Sequence, residues 1–343
     1  MAATKTSLYR AHELAFRTQY AELKERARST MPLLRGTPGT LVKRTGSGRG
    51  YWYRVYQSAA GIQVEELVCK DGDEPALLDA RAELAFAQWA GDQVRDLRKL
   101  EFQVADKSVA SVLVELYNRG LLGAGLMLVG TLGYMAWLNE FGARVVAART
   151  QDIDLATRQR LRLAAPQSFL AALAGTRLGF TPVPGMPTQT PPTSVKLKGR
   201  DGLRVDVLTH GDELGAAVAV PLLMWHAQAV PYFDYLLHQP RQAAILAGGH
   251  CIPVLLPQAA RLVWHKLYSS ASRQSFPEKA MKDLLQALTL AAVLTEQEDE
   301  TLADSFGEVP AGMRVAVRKR LPAACRALSG HARTREALEH ALA

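Results

Sequence analysis

The chain has 343 residues, long enough for two or three domains and a substantial core. Hydrophobic content of 48% and charged content of 22% are those of an ordinary globular protein, and three widely spaced cysteines exclude a disulfide framework or a structural zinc site. A net charge of +8 favours polyanionic partners such as RNA, DNA or nucleotides without bearing on the fold.

The N-terminus lacks the apolar core of a signal peptide, so a reducing cytoplasm is the expected location. Residues 1–30 read as a polar helix, broken by the prolines and glycines of MPLLRGTPGT. The next block, GTLVKRTGSGRGYWYRVYQSAAGIQVEELVCKDG, reads as β-hairpins. Tyr51, Tyr53 and Val55 alternate there with Trp52, Arg54 and Tyr56, and TGSGRG and SAAG form the turns. Lys43, Arg44, Arg49 and Arg54 lie among these aromatics, a mixture able to stack on bases and meet phosphates. The same pattern also suits a small sheet packed on the main body with its charges in water. Residues 75–120 are expected to be helical, closing at a glycine C-cap.

Leu121–Leu138 is an 18-residue stretch without a charge, the lower edge of a membrane span. Four glycines interrupt it, and a strand over Gly125–Val129, a turn and a helix from about Leu132 explain it without a membrane. From 221 onward the expectation is mainly helix, with one strand near HCIPVLLP and polar, basic helices over the last seventy residues.

In RTQDIDLA, residues 149–156, strand alternation buries Ile153 and Leu155 and projects Asp152 and Asp154 from one face. Two adjacent carboxylates repel, and a divalent cation such as Mg²⁺ or Mn²⁺ resolves the conflict. Upstream, an apolar strand reaches Gly130–Thr131 and turns into a helix, whose free N–H groups suit a phosphate. Downstream, SVKLKGRDGLRVDVLT reads as a hairpin turning at GRDG. It puts Leu203, Val205 and Val207 on one face and Asp206 on the other, a third carboxylate. No Walker-type loop, HExxH or GxSxG occurs.

This ordered set, Gly130–Thr131, Asp152 with Asp154, then Asp206, resembles the DNA polymerase beta superfamily of nucleotidyltransferases. Thr131 stands where serine is commoner in that superfamily, and 20 residues separate it from Asp152. VGTLGYMAWLNEFGARVVAARTQDIDLA looks closest to bacterial nucleotidyltransferase-fold proteins related to abortive-infection and toxin enzymes, and ARLVWHKLYSSASRQSFPEKAMKDLLQALTL is similar to their helical region. The expected fold is α/β (α+β): a small mixed sheet carrying the aspartates, flanking helices, a helical C-terminal half and an N-terminal β-hairpin extension. The corresponding division is 1–74, 75–215 and 216–343.

The resemblance implies an NTP substrate, Mg²⁺ or Mn²⁺ at Asp152, Asp154 and Asp206, and a possible antitoxin partner. It further implies that Lys266 reaches the triphosphate and that Asp283 orients neighbouring cations, with Arg273 and Lys282 as further nucleotide-binding candidates. By spacing alone, Lys279, Lys282, Asp283 and Gln286 share a helix face, where Lys279–Asp283 would be an ordinary i,i+4 pair. The expected activity is transfer of a nucleoside monophosphate to an acceptor hydroxyl. The basic balance and the hairpin module favour RNA, tRNA-like, as acceptor. The alternatives are a protein or small-molecule acceptor, or a non-catalytic nucleic-acid-associated regulator.

Overall fold

The computed structural model describes residues 7–46, 48–158, 161–273, 275–297 and 302–342. Strand β1 (Arg10–Ala11) leads into α1 (Leu14–Arg28), whose buried Tyr20, Leu23 and Ala27 recur at helical spacing. Then β2 (Thr40–Gly46), β3 (Arg49–Gln57) and β4 (Gln63–Lys70) pair antiparallel as a separate three-stranded sheet. Helix α2 (Glu74–Lys99) starts where Asp73 accepts the Ala76 N–H at 3.3 Å and Pro75 occupies the first turn. After β5 (Val104–Ala105), α3 (Lys107–Asn118) stops at Gly120, whose φ of +73° is the left-handed turn that glycine permits.

The apolar stretch resolves into β6 (Met127–Leu128) and α4 (Gly130–Glu140), so the strand is shorter and the helix earlier than the sequence suggests. Every residue of α4 from Thr131 to Asn139 is buried, which is why its composition resembles a membrane helix. No helix among the described residues is long and apolar enough to cross a membrane.

Strand β7 (Ala143–Arg144) pairs with β1. Next come β8 (Asp152–Thr157), α5 (Phe169–Ala174), β9 (Thr181–Pro182), β10 (Ser194–Lys196), β11 (Arg204–His210) and β12 (Ala217–Val220). After a 3-10 turn at Pro221–Leu223 come β13 (Trp225–Val230), the short α6 (Phe233–Leu236), β14 (Arg241–Ala247) and β15 (His250–Leu256). Strand β15 is the one expected at HCIPVLLP, but β13 and β14 replace expected helix. Strand β13 does alternate, burying Trp225, Ala227 and Ala229, yet its Ala, His and Gln have little strand preference. Strand β14 is buried on both faces from Ala243 to Ala247, which erases alternation altogether.

Helices α7 (Ala259–Ser272), α8 (Pro277–Gln297), α9 (Leu302–Gly307), α10 (Ala311–Ala327) and α11 (Ala332–Leu342) complete the chain. The main sheet runs β12-β13-β11-β8-β6-β15-β14-β5, with β10 on β11 and β9 on β10. One edge of β11 is shared: its first half pairs antiparallel with β10 and its second half parallel with β13. The fold is therefore α+β, a mixed sheet with helices around it. Its centre is the parallel pair β8 and β11, with β6 feeding α4 beside them.

Candidate active site

On β8, Ile153 and Leu155 are fully buried while Asp152 is exposed and Asp154 half-buried. Strand β11 lies parallel to β8 in a register that sets Asp206 opposite Asp154 and Arg204 opposite Asp152. Neighbouring strands are about 4.8 Å apart, so three carboxylates and one guanidinium form a two-by-two patch. Arg204 Nε donates to Asp206 Oδ1 at 2.8 Å, and its NH2 group donates to Ser194 Oγ at 2.9 Å. Buried Ser194 sits across from Asp206 on β10.

The electrostatics record the crowding. Burial, then the charges of Asp206 and Asp152, push the Asp154 carboxyl up from 3.8 to about 6, against the pull of Lys266 and Lys282. Burial also raises Asp206, opposed chiefly by Arg204.

The Asp154 backbone is tied to the strand beside it, its carbonyl accepting the Val129 N–H at 2.9 Å. Its side chain fills the space in front of Gly130. Gly130 has φ +64°, and a Cβ there would lie 1.9 Å from Asp154 Oδ2. The glycine is thus required first to make room for the carboxylate, a constraint that the sequence alone attributes to phosphate approach. Helix α4 has no side-chain cap and no acid in its first turn. Its first N–H to find a helical carbonyl is that of Gly133, which donates to Val129 O at 3.1 Å. The helix start, with buried Thr131, thus presents free donors beside Asp154.

Lys266 on α7 is buried, and Nζ donates to Asp283 Oδ1 on α8 at 3.2 Å. Burial lowers the Lys266 pKa, opposed by Asp283. Exposed Arg273 approaches the other oxygen, Oδ2, at 2.7 Å. Asp283 therefore takes Lys266 and Arg273, while Lys279 sits 5.7 Å over the Phe276 ring; the i,i+4 pair suggested by spacing does not form. Lys282 is exposed, and its charge reaches Asp154. Neighbouring His265 is buried and pushed down to about 4, so it is neutral near pH 7.

Among the described residues no three His, Cys, Asp or Glu side chains already surround one point as a ready metal cage. Arg204 instead holds one oxygen of Asp206. The donor set on the patch is nonetheless all oxygen, and burial, with repulsion among the carboxylates, raises two of them. A hard divalent cation fits that chemistry.

The hairpin module is less available to nucleic acid than its composition suggests. Arg54 is 4% exposed, lies 3.8 Å over the Tyr56 ring and donates to the Arg35 carbonyl. Lys43 pairs with Asp71 at 2.7 Å and Arg44 with Glu65 at 2.6 Å. A cavity of about 590 Å³ lies under this module, reaching the β14–β15 turn at Gly248 and Gly249. Strand β15 carries that turn about five residues, roughly 17 Å, from where Leu255 meets Met127 near Gly130. The cavity belongs to the other end of the sheet.

Ser194 and Arg204 are site residues without a motif of their own in the sequence. Both were within reach, because a hairpin turning at GRDG pairs Ser194 with Asp206 and Lys196 with Arg204. No curated protein and no solved structure matches the chain. A family model described as nucleotidyltransferase matches residues 107–310, from the start of α3 through the aspartate strands and both lysine-bearing helices. That match spans more than half of the sequence and includes every candidate residue. The chain belongs to this nucleotidyltransferase family.

Proposed function

We propose that the protein is a metal-dependent enzyme of the DNA polymerase beta type that moves a nucleoside monophosphate from an NTP to an acceptor hydroxyl, with RNA as acceptor. The observation that carries this reading is the register of β8 and β11, which sets Asp206 beside Asp154 at the open start of α4. Asp152, Asp154 and Asp206 would hold Mg²⁺ or Mn²⁺, which when bound supplies charge neutralisation for the triphosphate and the acceptor oxygen. The donors at Gly130 and Thr131 receive the phosphates. The acceptor oxygen bonds to the α-phosphorus as the bond to pyrophosphate breaks, and Asp206 assists removal of the hydroxyl proton. Lys266, positioned by Asp283, and Lys282 face the departing pyrophosphate, with Arg273 completing the cationic side. The rest of catalysis is positioning.

Incubation with Mg²⁺, total RNA and each NTP labelled at the α- or the γ-phosphate tests this directly. α-Label should enter the RNA and γ-label should leave as pyrophosphate. Transfer of γ-label would mean kinase chemistry, and label in protein alone would remove RNA as acceptor.

Lys266 and Lys282 provide a second check. Lys266→Met should lower the maximal rate by roughly 10²–10³-fold, the size of a lost electrostatic stabiliser, with a smaller effect on NTP affinity. Lys282→Ala should do less, since its ammonium stays solvated. Rates at saturating NTP decide it: equal, small losses would mean that α7 and α8 only pack.

A further inference from the structure

Helix α4 has two flanks. Tyr134 lies toward Thr289 of α8, on the lysine side. At 100° per residue Leu132 and Met135 project away from Tyr134, and they wall a groove of about 870 Å³. The groove is lined from Val104 at β5 to Thr150, whose Oγ1 accepts the Asp152 N–H at 3.2 Å, and its α4 wall is turned away from the side that meets α8. Its outer wall, the 145–150 loop, is pinned in place. Gln103 accepts the Ala148 N–H at 2.9 Å and donates to the Val145 carbonyl at 3.3 Å. Asn139 of α4 bonds the Gln103 backbone on both sides at 2.8 Å.

Four arginines, Arg10, Arg98, Arg144 and Arg149, face two acids, Glu101 and Asp106, in this groove. Arg10 and Arg144 are direct cross-strand neighbours on β1 and β7, an arrangement that costs stability unless an anion intervenes. Glu101 pairs with Arg144. The exposed side chains of Arg10, Arg98 and Arg149 take no hydrogen bond or ion pair among the described residues, and Asp106 is the remaining acid on the walls. On the hairpin module, by contrast, Lys43 and Arg44 are paired and Arg54 is buried, which leaves exposed Arg49 without an ion pair among the described residues.

We propose that this groove binds the acceptor as a single-stranded RNA segment, with Arg10, Arg98 and Arg149 on its phosphates and its terminal hydroxyl delivered past Thr150 to Asp206. The inference rests on the nucleotidyl-transfer reading and adds the direction of approach. In-line displacement needs the attacking hydroxyl and the departing pyrophosphate on different sides of the α-phosphorus, and the groove and the lysine side lie on different flanks of α4. A groove with separated point charges suits a polyanionic strand, read through its backbone with little sequence preference.

The test is fluorescence anisotropy of a 5′-labelled, mixed-sequence, 12-nucleotide RNA against the full chain and its Arg10→Ala/Arg98→Ala/Arg149→Ala variant. Loss of three phosphate contacts should weaken binding at least 10-fold in 50 mM salt and reduce the log–log salt slope by about 2. NTP affinity should be unchanged. Unaltered RNA binding in the variant would overturn the proposal. So would loss on Lys43→Ala/Arg44→Ala/Arg49→Ala instead, or a polyglutamate peptide competing as strongly as RNA, which would make the groove a site for an acidic protein. Binding requires no turnover, so the two readings fail separately. RNA bound through the groove without α-label transfer removes the catalytic reading, and α-label transfer unaffected by the triple variant removes the groove.

Discussion

Asp154→Asn should abolish nucleotide transfer and at the same time raise the melting temperature. The substitution removes the central carboxylate of the patch, and a rate loss on the order of 10³ or more is expected of a lost shared metal ligand. The stability gain follows from the sign of its titration. Asp154 is raised from 3.8 to about 6 in the folded chain, so between those values the folded state binds more protons than the unfolded one. The Asp154 contribution to stability is therefore greatest below about pH 4, declines as pH rises to about 6, and is flat beyond. At pH 7 the ionised carboxylate costs the fold roughly 3 kcal/mol, on the scale of 1.36 kcal/mol per pH unit. An uncharged amide escapes that cost, and thermal unfolding should move up by several degrees in metal-free buffer. Mg²⁺ should stabilise the native protein and not the variant. A variant that is less stable at pH 7, or that still transfers nucleotide, contradicts the assignment.

Gly130→Ala should be nearly as damaging to activity for a steric reason. A Cβ at that position would meet Asp154 Oδ2 at 1.9 Å and Cγ at 2.8 Å, so the carboxylate must leave its place. The left-handed backbone adds about 1 kcal/mol of strain. Gly120→Ala is the matched control, because Gly120 has φ +73° with nothing within 4 Å of its would-be Cβ. Both variants should lose similar stability, and only Gly130→Ala should lose activity, by about 10² or more. Equal activity losses in the two would show that backbone strain, not displacement of Asp154, is responsible.

Much of this site can be read from the sequence because its signals are local. Asp152 and Asp154 flank apolar Ile153 on one strand, the GRDG turn aligns the strands that bear Ser194 and Asp206, and α7 and α8 show helical periodicity. Register between distant strands is not local. Nothing in the spacing of Asp154 and Asp206 states that β8 and β11 are parallel neighbours; their charges suggest it only after a shared metal is supposed. The same limit hides the partner of Asp283. Helical spacing nominates Lys279, four residues away, while tertiary packing delivers Lys266 from 17 residues earlier. Strands β13 and β14 are misread because alanine, glutamine and leucine carry helix preference, and a strand buried on both faces has no period to detect. In the aromatic-basic hairpin, composition does not reveal which cations are engaged. Its composition suits RNA, yet Arg54 is spent on Tyr56 and the Arg35 carbonyl.

The most direct measurement is a crystal structure of the native protein with Mn²⁺ and a non-hydrolysable NTP analogue, using anomalous scattering to locate the ions. The account predicts manganese between Asp152 and Asp154, with Asp206 in the same coordination group, and the triphosphate on the backbone of Gly130 and Thr131 facing Lys266. Nucleotide bound in the cavity under the hairpin module, with no ion at the three aspartates, would contradict it.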